Sequence, residues 1–195
     1  MRSAVHALAF AAIAFPAHAA GWQPVERVRH YAVSGAAGAD LYFSIGENGP
    51  LIGKSRAIAL TQWDLKWRRD YRPQGTACAL KSATPFLTIT TTLPKPAAKL
   101  EGPAARLWKT FIDGITAHER VHAADINAMV DGIIAATAGL TVQDDPQCKL
   151  IRAEVLKIVT AANEAYKAKS RAFDGAEMAK RGNVHQLILA LVNGR

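Results

Sequence analysis

No apolar run in this 195-residue chain reaches the about 18 uninterrupted residues a membrane-spanning helix needs, so a transmembrane anchor is not expected. Internal repeats and low-complexity linkers are also missing, which argues against a solenoid or a string of domains. Cysteine is scarce. Cys78 and Cys148 are the two present, and neither has a partner at metal-ligand spacing, which disfavours a cysteine metal site. Acidic residues are few, 16 against 24 Lys and Arg, for a formal charge of +8. The basic excess is scattered, with Arg68-Arg69 and Lys180-Arg181 the only tight pairs, and reads as solvated surface. No nucleic-acid-binding motif accompanies it, so nucleic acid is not an expected partner.

What is present begins with an export signal. Arg2 supplies a positive n-region, Ala7 to Phe15 an apolar h-region, and Ala17-His18-Ala19 an A-x-A cleavage site. Residues 1–20 are therefore expected to be removed, leaving residues 21–195 as one domain in the periplasm or the medium. In such a compartment two cysteines read as one disulfide, Cys78–Cys148. Closing a loop of that length stabilises a fold by roughly 4 kcal/mol on the chain-entropy account.

The period of the sequence changes midway. Residues 25–94 read as strands and turns. Ala59, Thr61, Trp63, Leu65, Trp67, Arg69 and Tyr71 alternate with a more polar set, which predicts a strand with one largely apolar face. Leu87, Ile89, Thr91 and Leu93 predict a second, begun at Pro85 and stopped by Pro94, with a turn at Arg72-Pro73-Gln74-Gly75 between them. Tyr31 to Val33 reads as a third strand and Gly46 to Gly53 as a loop. Residues 103–192 read as helical. Pro103 opens a long helix whose stripe runs Ala104, Trp108, Phe111, Ile115, His118, His122, Ile126, Met129 and Ile133, with Gly139 as its stop. Asp145-Pro146 reads as the start of a second helix with Cys148, Ile151, Val155, Ile158, Ala162, Tyr166 and Phe173 on its apolar face. Val184 to Val192 suits a short amphipathic helix.

Inside the long stripe lies His118-Glu119-Arg120-Val121-His122, an HExxH pattern. Histidines four apart on a helix share a face and can reach one metal, and the glutamate beside them can act as general base. Two core histidines satisfied by hydrogen bonds would also sit on a buried face. Glu119 tips the balance, because it too turns inward, where an unpaired carboxylate is costly. His118 and His122 are thus the candidate metal ligands, Zn(II) the candidate cofactor and Glu119 the candidate catalytic base.

Catalytic zinc usually has a third protein ligand, and HExxH supplies two. Asp125 lies too far along the helix to share the metal with His118 and is expected as a hydrogen-bond partner of His122. Glu164 is disfavoured, roughly 170° from the centre of its helix's apolar face. Asp174 and His185 stay open. Tyr166 points inward, either as a packed core tyrosine or as a donor to an oxyanion.

Tyr31-x-Val33-x-Gly35, Gly49-Pro50, Thr61-x-Trp63-x-Leu65-x-Trp67, Cys78, Leu93-Pro94 and Trp108-x-x-Phe111 precede the HExxH, and Cys148 follows it. In this order and spacing, Tyr31 to about Asn183 resembles DUF922, a bacterial family of unknown function described as secreted zinc-dependent proteases. The resemblance implies a metallopeptidase-like fold with His118 and His122 as ligands and Glu119 as base. That family's last segment carries a Tyr-Asp and then a Thr-x-His-Gly. Here Phe173-Asp174 stands at the first, and Arg181-Gly182 lacks the histidine.

The expected protein is α+β and zincin-like, a small antiparallel sheet packed on long helices. Its expected activity is zinc-dependent hydrolysis of a peptide or protein substrate in the cell envelope or medium. An inactive envelope binding or scaffold protein that retains the fold is the alternative.

Overall fold

Trp63, Leu65 and Trp67 alternate with Gln62, Asp64, Lys66 and Arg68 along strand β4 (Leu60–Gln74), whose first set is half-buried and second exposed. The computed structural model describes residues 21–194, so the expected export signal at residues 1–20 lies outside the described residues. β4 turns at Gly75, which takes a φ of 62° that suits glycine, into the 20-residue strand β5 (Ala77–Pro96). Ahead of them come β1 (Val25–Val33), helix α1 (Gly38–Asn48) and a small hairpin of β2 (Leu51–Ile52) and β3 (Ser55–Arg56). Behind them come α2 (Gly102–Thr137), β6 (Thr141–Val142), α3 (Leu150–Met178) and α4 (Asn183–Asn193). The architecture is α+β, with strands in the first half and long helices in the second, as expected.

Within the sheet, β5 is central, flanked by β1 and β4, and β6 adds two residues at its start. β4 runs antiparallel to β5 and β1 parallel to it, so the sheet is mixed rather than wholly antiparallel. β5 also runs through both prolines expected to bound it. Pairing with β1 begins only at Thr88, beyond Pro85, and pairing with β4 ends at Thr92, before Pro94. Among the described residues each proline therefore sits where one side of β5 has no partner strand, and its missing N–H breaks no ladder there.

Residues 38–48 form a helix, in a stretch the sequence pattern left unassigned up to Gly46 and read as a loop from Gly46 to Gly53. Its inner face is Leu41, Ser44 and Ile45, and the serine at the centre weakens the apolar periodicity. Ser44 is buried because its hydroxyl accepts the Ser34 N–H at 3.0 Å. Gly38 is needed at the start: a Cβ there would lie 2.0 Å from the Leu191 carbonyl oxygen on α4. The second long helix also starts later than Asp145-Pro146. Asp145 caps it from outside, its carboxylate accepting the Lys149 and Ile151 N–H groups at 2.7 and 2.9 Å. Burial pushes the Asp145 pKa up, but the backbone N–H groups of Ile151, Leu150 and Lys149 outweigh it and hold the carboxyl below its ordinary range.

α2 buries one stripe: Trp108, Phe111, Ile115, Glu119, His122, Ile126, Met129, Val130, Ile133 and Thr137. Two polar residues thus interrupt an apolar seam near its middle, and the core divides there. Trp108, Phe111 and Ile115 pack with Val33, Leu41, Ile45, Leu93, Val184 and Leu191. Ile126, Met129, Val130 and Ile133 pack with Leu87 and Ile89, covered by Trp63, Leu65 and Trp67. A third cluster surrounds the Cys78–Cys148 disulfide, with Leu80, Ile151 and Val155. Each fully buried Leu, Ile or Phe contributes about 1.5–3 kcal/mol of burial, so an inward Glu and His in this seam displace a sizeable stabilisation.

Candidate metal centre

Where the two core clusters part, three side chains converge. The His118 and His122 Nε2 atoms are 3.1 Å apart. Asp174 Oδ1, from the C-terminal part of α3, lies 2.8 Å from His122 Nε2 and 3.2 Å from His118 Nε2. Tetrahedral ligands at zinc–ligand distances near 2.0–2.1 Å stand about 3.3 Å apart, so this triangle fits one ion. Among the described residues, His118, His122 and Asp174 are the group that could hold a metal.

The opposite sides of the imidazoles support the same assignment. His122 Nδ1 lies 3.3 Å from the Ser170 hydroxyl, and His118 Nδ1 lies 3.6 Å from Glu177 Oε2. Among the described residues the buried His118 Nδ1 has no hydrogen-bond partner, and the Glu177 carboxylate lies just beyond hydrogen-bond range. Protons on both Nδ1 atoms leave both Nε2 lone pairs aimed at the common point, as metal ligation requires. Phe173 fixes the rings: it stacks on His118 at 4.7 Å and 19° and meets His122 edge-on at 5.4 Å and 77°.

Glu119 stands beside this triangle, 6 % exposed. Its Oε2 accepts the Thr61 hydroxyl at 2.7 Å, while Thr61 Oγ1 lies 3.2 Å from Thr91 Oγ1. Burial raises the Glu119 pKa, and the Thr61 hydrogen bond and the two imidazoles oppose that rise. Tyr166 meets Trp63 edge-on at 6.3 Å and also lines the cleft. Burial pushes its phenol pKa up, so it keeps its proton. The cleft encloses about 400 Å³ and opens between the start of β4, α2 and the end of α3.

The other acidic and histidine candidates fall elsewhere. Asp125 does not reach His122: its carboxylate accepts the Lys169 ammonium at 2.8 Å, and Ser170 holds the place expected for it. The Lys169 cation on α3 attracts the carboxylate more strongly than a neutral ring N–H does. Glu164 is exposed and paired with Lys167 at 2.9 Å, as its phase predicts. His185, on α4, lies beside Gln186 at 3.3 Å and is not part of the cluster.

Thr61, Ser170 and Glu177 went unassigned in the sequence. Thr61 left a trace as a polar residue in the inward phase of β4. On α3, Tyr166, Ser170, Asp174 and Glu177 follow at steps of four, four and three, a polar continuation of the apolar face.

The fold and this site define an α+β protein with an HExxH helix facing a carboxylate donor from a second helix. DUF922, whose description is "bacterial protein of unknown function", matches residues 28–182, and the chain belongs to that family. No curated protein and no solved structure matches it.

Proposed function

We propose that this protein is an exported zinc-dependent peptidase of zincin type. The observation that carries the reading is the convergence of His118 Nε2, His122 Nε2 and Asp174 Oδ1 within 3.2 Å of one another, with Glu119 alongside. A zinc ion held by these three would supply Lewis acidity, polarising a carbonyl and bringing the pKa of water towards neutral. Asp174 answers the need for a third donor that the missing glycine-adjacent histidine left open.

The residues divide the chemistry between them. Glu119 removes the proton from the attacking water and passes it to the departing amine as the C–N bond breaks, leaving a carboxylate and an amine. A raised pKa suits both halves of that transfer. Thr61 holds the Glu119 carboxylate by donating to one oxygen, which leaves the other free for water. Tyr166 keeps its hydrogen at neutral pH and can donate it to the carbonyl oxygen as negative charge grows there. Among the described residues the outer edge of β4 pairs no strand, and it can hold an extended peptide by backbone hydrogen bonds.

The disulfide, and the lack among described residues of any helix long and apolar enough to cross a membrane, fit an extracellular or periplasmic protein. With residues 1–20 read as a cleaved signal, residues 21–195 form the working domain. Glu119→Gln should retain stoichiometric zinc while peptide hydrolysis falls by at least about 10²-fold. His122→Ala, measured beside it by elemental analysis, should lose the zinc. Wild-type protein that binds no zinc after reconstitution would overturn the reading. Zinc-loaded protein that cleaves no peptide would favour the scaffold alternative.

A further inference from the structure

The cleft has two ends of opposite chemistry. One holds the three donors and Glu119. The other is lined by Tyr42, Ile52, Ile58, Ile115, Met178 and Val184. Its floor is the hydrophobic core itself, since Ile115 and Val184 are 2 % and 3 % exposed. Its rim is apolar too: Ile52 on the hairpin and Met178 at the end of α3 are 55 % and 50 % exposed, yet both line the cleft. Beyond the donors and Glu119, Arg56 is the one charged residue of the lining among the described residues, and its guanidinium already donates to the Gly49 carbonyl at 2.6 Å. A charged side chain entering this end would be desolvated without a partner, whereas an aliphatic or aromatic one would lose only water.

We infer that this end is a side-chain subsite selecting a large apolar residue, Leu, Phe or similar, next to the bond that is cut. The inference rests on the peptidase reading for its place beside the cut bond, but the subsite's affinity for an apolar side chain does not need turnover. Two rim residues from separate elements set the selection. Ile52 supplies a branched wall, and the flexible thioether of Met178 adapts to ring or branched chain. Filling the site with Leu or Phe in place of Asp should be worth on the order of 10–100-fold in binding.

The test uses capped tripeptides Gly-X-Gly, with X as Leu, Phe, Asp or Lys, titrated into the metal-free protein and followed by amide chemical shifts. The expected result is that Leu and Phe peptides bind at least about 10-fold tighter than Asp, shifting the amides of Ile52, Ile58, Met178 and Val184. Because both rim residues are half exposed, Ile52→Glu combined with Met178→Glu leaves the core intact. That variant should weaken the Leu peptide by about 10-fold and bind the Lys peptide in its place, a reversal that mere loosening of the fold would not produce. Equal binding of Leu and Asp peptides, or shifts confined to other regions, overturns the subsite. A peptide-library digest with the zinc-loaded protein separates the two readings. Cleavage with no apolar residue beside the cut bond removes the subsite and leaves the peptidase. Leu-peptide binding in the cleft without any cleavage removes the peptidase and leaves the subsite.

Discussion

Asp174→Asn is the sharpest perturbation of the centre, because it keeps the side chain's size while removing the anionic donor. Asp174 Oδ1 is within reach of both imidazoles, at 2.8 and 3.2 Å, and completes the three-donor group found among the described residues, so its loss leaves a two-histidine site. Changing a group that only supports a ligand costs about 10–100-fold in metal affinity, and a direct donor should cost no less than the upper figure. Zinc present at 100 times its wild-type Kd stabilises the fold by about 2.7 kcal/mol, and a 100-fold weaker site retains only about 0.4 kcal/mol. For a domain of this size, at about 2–4 °C per kcal/mol, the zinc-induced rise in Tm should fall from roughly 5–11 °C to roughly 1–2 °C. Thermal denaturation with and without zinc, beside competition against a chromogenic chelator, reads both quantities. Asp125→Asn is the control: that carboxylate faces Lys169, so zinc affinity should stay within about 3-fold of wild type. A full zinc-induced Tm rise in Asp174→Asn, or an equal loss in the control, would refute the assignment of the third donor.

Three further outcomes follow from the fold. Thr61→Val removes the hydrogen bond that lowers the Glu119 pKa, so that pKa should rise; since the base acts ionised, the acid limb of the kcat/KM profile should move to higher pH. Replacing Cys78 and Cys148 together by Ala should cost about 2–5 kcal/mol, read by denaturant unfolding under oxidising conditions, where the wild type keeps its bridge. Asp145 has a lowered folded pKa, so its stabilisation is present above the unfolded value of about 3.9 and is lost as pH falls through the folded value. Asp145→Asn should therefore unfold more easily than wild type at neutral pH, and the gap in urea midpoint should close in acid.

The parts of this molecule that announce themselves in sequence are those where one periodic signal dominates. β4 shows its period of two through alternating tryptophans, and α2 its stripe through Trp108 to Ile133, so the inward phase of HExxH is legible in the pattern alone. α1 stayed hidden because Ser44, a buried polar residue satisfied by Ser34, occupies the middle of its inner face. β5 was shortened by its prolines, whose tolerance depends on where neighbouring strands begin and end. The parallel placement of β1 is likewise a long-range choice that local pattern does not encode. Asp174 was an open candidate because helix phase drifts over the 29 residues of α3, and choosing it over His185 required knowing where that helix ends. The pairing of Asp125 with Lys169 is invisible to local pattern because the two residues lie on different helices.

α3 is fastened at two ends by unlike means. At its start, Cys148 is bonded to Cys78 and Asp145 caps the first turn. At its far end, Asp174 reaches the two histidines, about 36 Å along the axis at 1.5 Å per residue. A ligand set split between two helices is complete only when those helices lie in register, and the sulfur bridge restricts that register in chains not yet folded. On the zinc reading, oxidation at one end prepares coordination at the other, and a chain kept reduced should bind zinc more loosely than the bridged chain.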